Sequence, residues 1–509
     1  MAGNRGAPPR RRGLPLALGL AALALLPPLL VAGPAAAVDY TVDSVASISD
    51  TTREQAGSII VLAGGQLTIR NATVSFQMAQ EGGSSLRVDA GGTLILEDCH
   101  LQSGTPGLHW NFLVSGRLEM RGCQVSDLRG DSGLGGIEVT GGNALIEDSA
   151  IRSSKYYGLF LRSGSPTIRR TTLEGQVVGI SVLPGASPTL EDVVIRNSTS
   201  IGLKVADAEP VVRNLTVLGS SNFAVGAIGA TLDIRGCVIS GGAVGIDAVD
   251  NTHGTVDGCQ VSDVGTGVRA QAAPLVITNS TFASVGTGVN ASQSAVEVRG
   301  STFSGFGVGV RAIGPVAGVF GGSATDNDFC GPGIAFESHS QTFFVGDNRF
   351  CPGVTSLRLF HTVTLEVRGP DDSPAAAALI EITDADGAAV FAGATDVDGT
   401  VSASLEEYRV LPTGERHNAT PHRVRIDYRA QVTVTTVNAT SDDTIRITLA
   451  PKDPDPPLAI TREGLLLVGA VFAVLAAVSA SVVWRASKRR EEREAGARRP
   501  RRRGPRSGR

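Results

Sequence analysis

Leu94–Leu101 reads LILEDCHL, and Leu118–Val125 reads LEMRGCQV. Both follow one rule: apolar, any, apolar, any, turn residue, small residue, any, apolar. Working outward, the rule holds at Leu67 (LTIRNATV), Ala144 (ALIEDSAI), Pro166 (PTIRRTTL), Pro188 (PTLEDVVI) and Pro210 (PVVRNLTV). It continues at Thr231 (TLDIRGCVI), Gly254 (GTVDGCQV), Leu275 (LVITNSTF) and Val296 (VEVRGSTF), with degenerate copies ending at Phe329 and Phe350. The spacing runs from 21 to 27 residues, and a fixed period of this size means a solenoid.

The columns say which solenoid. The last position is apolar in all thirteen copies, from Val74 to Phe350, so it faces inward. The turn position is Asn, Asp or Gly in twelve of thirteen, Arg170 being the exception. Those residue types tolerate the left-handed backbone of a sharp corner. A second strand precedes each copy, as GIEV at Gly136, GLKV at Gly202, GIDA at Gly245 and GVRA at Gly267. Two short strands per coil with period-2 alternation exclude a helical repeat. Stacked about 4.8 Å apart, some thirteen coils make a rod on the order of 60 Å long.

These repeats resemble the right-handed parallel β-helices of the pectate-lyase-like superfamily. The resemblance covers about 57–358 and implies fold far more than function, since that superfold hosts enzymes, adhesins and surface proteins alike.

The six cysteines fall one coil apart in pairs: Cys99–Cys123, Cys237–Cys259 and Cys330–Cys351. Layers about 4.8 Å apart suit a disulfide, so three bridges are expected in an oxidising compartment. Neither CxxC nor clustered histidines occur, and no metal site is expected.

The chain ends set the topology. Residues 1–37 carry Arg5, Arg10, Arg11 and Arg12, an apolar run from Leu14 to Val31 and Ala35-Ala36-Ala37, the parts of a signal peptide. Gly464–Trp484 is 21 residues without a charge, enough to span a bilayer core. The tail 485–509 holds twelve Lys/Arg and three Glu, which places it in the cytoplasm. The expectation is a single-pass membrane protein with its N-terminus outside. The intervening Val38–Glu463 has 29 basic and 46 acidic residues, a poor match for nucleic acid.

From Val363 the text changes to alternating strands with acidic turns, as in VTLEV, HRVRIDY and AQVTVTT. A β-sandwich over 362–450 is expected; it resembles carboxypeptidase-regulatory-like domains. The fold class is therefore all-β: a β-helix over 38–361 with an N-terminal cap, a small sandwich, a Pro-rich stalk at 451–463 and one C-terminal transmembrane helix at 464–484. Asp384-Ala385-Asp386-Gly387 and Asp396-Val397-Asp398-Gly399 read as hairpin turns first and calcium loops second, and no other cofactor is implied. Glycosylation sequons occur at Asn71, Asn197, Asn214, Asn279, Asn290, Asn418 and Asn438, seven of fourteen asparagines.

For function, the outward column of the Gly-initiated strands is the place to look: Glu138, Phe160, Ser181, Lys204, Gly226, Asp247, Arg269, Asn290, Arg311 and Ala335. It shows no clustered carboxylates of the kind glycoside hydrolysis needs. Lys204, Asp247 and Arg269 are the only candidates for chemistry, and Asp247–Arg269 reads first as an ion pair. Lys155, Tyr156, Tyr157, Phe160 and Arg162 form either a packed loop or a sugar-stacking cluster. Three readings stay open. The first is a non-catalytic surface protein that binds glycan or another surface protein. The second is a polysaccharide lyase, epimerase or hydrolase. The third resembles copper-maturation β-helix proteins, against which three Met and seven scattered His speak.

Overall fold

The computed structural model describes residues 38–131, 133–314, 322–339, 344–411 and 413–451. The expected signal segment, transmembrane stretch, basic tail and nearly all of the stalk lie outside them. Among the described residues no helix is long and apolar enough to cross a membrane. They form two compact units. The first ends at Phe360 and includes Tyr408–His417; the second takes His361–Glu407 and continues from Asn418.

The first unit is a right-handed parallel β-solenoid. One sheet stacks fourteen strands in sequence order, from Val45–Ser49 to Phe344–Val345. Like pairs with like: Leu94 with Leu118, Leu96 with Met120 and Met120 with Ile146. Every layer therefore buries the same positions, and Leu67, Leu94, Leu118 and Ile146 are fully enclosed. At about 25 cal/mol per Å² of apolar surface, each such side chain contributes about 2 kcal/mol.

The thirteen-coil expectation falls one short. Residues expected to be an N-terminal cap form a full layer: Tyr40–Val42, Val45–Ser49 and Thr52–Gln55. Asp50 takes the corner there with φ 54°. That layer escaped the sequence pattern because only Ile48 and Val42 among its inward positions are aliphatic and deeply buried.

All thirteen corners from Asp50 to Asp326 have φ between 44° and 67°. Arg170 shares this conformation at φ 46° despite its long side chain. Its guanidinium bonds Asp148 at 2.7 Å and also reaches Glu147. A second corner, through Asp127, Ser153, Asn197, Asp263 and Ser284, is also left-handed. The same column holds Gly175, Gly219, Gly241 and Gly305, so it too favours residues that tolerate a left-handed backbone.

The glycine that opens the other strand has a packing reason. A Cβ on Gly288 would sit 2.5 Å from Phe303 Cε1 and 2.5 Å from the Gly309 carbonyl oxygen. The aromatic column fills this space: Phe282–Phe303 and Phe303–Phe329 stack with centroids 4.8 and 4.6 Å apart.

Just past the first corner runs a polar ladder. The Cys123 N–H donates to Ser149 Oγ at 3.1 Å, Cys259 to Ser280 Oγ at 3.2 Å, Ser280 to Ser301 Oγ at 3.2 Å, and Ser301 to Asn327 Oδ1 at 2.9 Å. Disulfides join Cys237–Cys259 and Cys330–Cys351, with Cα atoms 4.4 and 4.9 Å apart. Cys99 and Cys123 are buried thiols. Their sulfurs stop 2.7 Å apart, so the third expected bridge is approached but not closed.

In the second unit, Ala389–Ala394, Leu379–Thr383, His422–Tyr428 and Gln431–Val437 form a four-stranded antiparallel sheet. Val363–Arg368 pairs in parallel with Asp443–Thr448. Val363, Leu365 and Val367 share a core with Ile380, Ile382, Val424 and Ile426.

Candidate functional site

The Gly-initiated strands align their outward residues layer by layer: Lys204, Gly226, Asp247, Arg269, Asn290, Arg311, Glu337 and Arg358. Ala335, expected in this column, is fully buried instead, and Glu337 takes its place. Register explains the correction. Val310 pairs with Phe336, which sets Ala335 level with Gly309 in the close-packed position and turns Glu337 outward.

Of the three candidates for chemistry, Asp247 and Arg269 meet on adjacent layers, and Lys204 lies beyond Gly226 on the layer before it. Asp247 is only 6% exposed. Arg269 holds it twice, Nε to Oδ1 at 2.5 Å and Nη2 to Oδ2 at 2.9 Å. That carboxylate raises the Arg269 pKa through its hydrogen bonds, against the effect of burial. Both oxygens of Asp247 are thus engaged by its neighbour. Lys204 makes no ion pair among the described residues and stands two layers away.

Gly226 leaves a notch between them. A Cβ there would meet only the Phe223 ring at 3.5 Å and Ile201 at 3.8 Å, both ordinary contacts. Phe223 is half-buried, and Arg269 lies over its ring at 5.3 Å. An aromatic side chain beside a flat glycine, with an ammonium at one side and a held carboxylate at the other, is the chemistry that seats a sugar ring.

Further along, Glu337 accepts from Arg311 at 2.7 Å and bonds His339 Nε2 at 3.1 Å. Burial pushes its pKa up, but those two partners outweigh it and hold the carboxyl at about 2. Between the two arginine pairs, Asn290 is half-buried, and its Oδ1 has no hydrogen-bond partner among the described residues.

The Lys155–Arg162 cluster is packed, but not as a loop: Tyr157–Leu161 is a buried strand of the solenoid. Tyr157 and Phe160 are 4% and 3% exposed. Their rings stack with centroids 4.5 Å apart, and Tyr156 meets Tyr157 edge-on at 4.6 Å. A hairpin of Gly130–Asp131 and Leu134–Gly135 backs onto Tyr156. Burial first, then Tyr156 and Asp131, raise the Tyr157 pKa. Glu138 is buried against Arg162 Nε at 2.6 Å. The Tyr157 and Phe160 rings are thus buried, and only Tyr156 is partly exposed.

One cluster was invisible in the sequence. Glu81 receives Lys155 Nζ at 2.9 Å and His109 Nδ1 at 3.2 Å, joining loops from three layers. The first and last of these residues are 74 positions apart, and no local pattern links them.

Among the described residues no group of three or more His, Cys, Asp or Glu is placed to hold a metal. In the acidic turns, Asp384 Oδ1 accepts from the Asp386 and Ala388 N–H groups at 3.0 and 2.8 Å. Asp396 Oδ1 does the same with Asp398 and Thr400. One oxygen of each carboxylate thus closes its own turn.

The corners also account for much of the sequon excess. Asn71, Asn197, Asn214 and Asn279 all sit at left-handed corners, φ 44° to 56°, with Thr two positions on. Those four, with Asn418 and Asn438, are exposed, whereas Asn290 is half-buried.

Residues 178–350 match the family model described as a right handed beta helix region. Curated protein sequences return no match. Among solved structures, the A-module of a mannuronan C-5 epimerase from Azotobacter vinelandii is 13% identical, over 58% of this chain and 91% of that one, with TM-score 0.35. A tailspike protein double mutant of an E. coli bacteriophage is 11% identical over 75% and 86%, with TM-score 0.30. The catalytic unit of an α-1,3-glucanase from Streptomyces thermodiastaticus is 16% identical over 62% and 64%, with TM-score 0.33. Likenesses this distant say nothing about activity.

Proposed function

We propose that this chain is a membrane-anchored, extracytoplasmic β-helix protein that binds a polysaccharide without converting it. The observation that carries the non-catalytic reading is Asp247, buried and held at both oxygens by Arg269. Proton transfer needs a group free to exchange its proton with substrate, and hydrolysis needs paired carboxylates. Asp247 offers neither.

The Gly226 notch supports glycan as the ligand. Phe223 supplies a half-buried ring, Lys204 an ammonium with no ion pair among the described residues, and the absent side chain at 226 the room for close approach. Anchoring rests on the sequence of the two chain ends: a signal segment at 1–37, an uncharged Gly464–Trp484 and a basic tail. The second unit is read as a carboxypeptidase-regulatory-like sandwich.

The test is a glycan-array screen of the detergent-solubilised full chain, followed by incubation with uronate and neutral polysaccharides. Binding that weakens at least tenfold in Phe223→Ala and Lys204→Ala, with no turnover, is the expected result. Turnover that disappears in Asp247→Ala or Lys204→Ala would establish the second reading, a polysaccharide lyase, epimerase or hydrolase.

A further inference from the structure

Beneath the second corner of the solenoid, four consecutive layers place polar side chains in one inward column: Ser154, Gln176, Ser198 and Ser220. The register follows from the strands just before them, where Arg152 pairs with Glu174, Glu174 with Arg196 and Arg196 with Leu218. All four side chains are sealed, with exposures of 3%, 0%, 1% and 0%. Ser154 Oγ, Gln176 Oε1, Ser198 Oγ and Ser220 Oγ have no hydrogen-bond partner among the described residues. Gln176 uses its other end, donating from Nε2 to the Ile151 carbonyl at 2.9 Å.

The contrast with the first corner is instructive. There each hydroxyl meets a backbone N–H of the adjacent layer, as Ser280 Oγ does with Cys259, and returns its own proton to a carbonyl, here that of Thr278. At the second corner neither exchange occurs. A buried polar oxygen without a partner is costly, and three hydroxyls and an amide oxygen in a row are not expected to persist dry.

Layer spacing identifies the missing partner. Adjacent layers lie about 4.8 Å apart, which sets the like side chains of Ser198 and Ser220 too far apart for a direct O–H···O bond of about 2.8 Å, while the longer Gln176 side chain reaches back to the layer of Ile151. Two oxygens that share one water at a tetrahedral angle are about 4.6 Å apart. We infer that internal water molecules run along this column, one of them bridging Ser198 and Ser220 and others partnering Ser154 Oγ and Gln176 Oε1. The water between Ser198 and Ser220 has a hydroxyl oxygen above and below it, the condition for a structural water. The column has definite ends. The preceding layer places the fully buried Leu128 in this column, and the following layer places Gly242 there, close against the Ser220 carbonyl.

The double variant Ser198→Ala/Ser220→Ala distinguishes a wet seam from a dry one by sign. If water is bonded there, removing the hydroxyls strands it and the thermal midpoint of the full chain falls by several degrees. If the hydroxyls are dry orphans, removing them relieves their burial and the midpoint rises, which overturns the inference. A crystal structure of the full chain gives an independent readout. Density between Ser198 Oγ and Ser220 Oγ, within hydrogen-bond distance of both, is expected. Hydroxyls rotated onto backbone carbonyls with no density between them would equally overturn it. Neither readout depends on glycan binding.

Discussion

Asp247 and Arg269 lie 22 residues apart in sequence and on adjacent layers in space, joined by bonds of 2.5 and 2.9 Å. Their side chains differ in exposure, 9% for the carboxylate and 38% for the guanidinium. Removing either partner should therefore have unequal effects. Arg269→Ala leaves a buried carboxylate unpaired and should cost about 3 kcal/mol. Asp247→Ala leaves an arginine that can turn to water and should cost about 1 kcal/mol. Urea unfolding of the two variants checks the order; equal losses would refute it.

Glu337 links stability to acid. Its pKa falls from 4.5 in the unfolded chain to about 2 in the fold, where burial is outweighed by His339 and Arg311. A depressed carboxyl stabilises above the unfolded value and loses that contribution as pH falls through the folded one. The window is thus between pH 4.5 and about 2, and the contribution is on the order of 2–3 kcal/mol. Glu337→Gln should flatten the stability profile in that window, as read by denaturation at several pH values.

Arg170 occupies a left-handed corner that other layers fill with Asn, Asp or Gly. The conformation costs a long side chain about 1–2 kcal/mol, whereas its partly exposed ion pairs return about 0–1 kcal/mol. Arg170→Asn should therefore stabilise by about 1 kcal/mol, measured as a higher urea midpoint at unchanged slope. Glu147 keeps Arg169, 2.9 Å away.

Gly288→Ala should destabilise sharply. The new methyl would meet the Phe303 ring and the Gly309 carbonyl oxygen, each at 2.5 Å. Overpacking of this kind costs about 1–3 kcal/mol or more. The companion Gly288→Ala/Phe303→Leu should recover part of the loss, because the ring edge is one of the two obstacles.

Cys99 and Cys123 should be found joined in oxidised protein, by peptide mapping without reductant. In reduced protein both should resist alkylation until the chain unfolds. The Cys99 thiol is held protonated by its hydrogen bond with Cys123 and by burial, so little thiolate is available to react.

The repeat was legible in the sequence because stacking multiplies every signal. A corner that needs a left-handed residue writes Asn, Asp or Gly every 21 to 27 positions, and a shared core writes aliphatics beside it. The first layer was missed because a single copy with Asp50 but few aliphatics does not stand out. Ala335 was misplaced because the sequence alone left a shift of register unseen; the pairing of Val310 with Phe336 decides which neighbour faces out.

The sequence by itself determined the architecture, since backbone corner geometry and layer burial act on local residue type and repeat at a fixed period. Only the tertiary structure decided what the outward residues do. Whether Asp247 is a free base or a held one depends on the side chain one layer away, and whether Tyr157 and Phe160 face a ligand depends on a hairpin from an earlier layer. Those relationships join residues distant in the chain, where no rule of composition or period reaches.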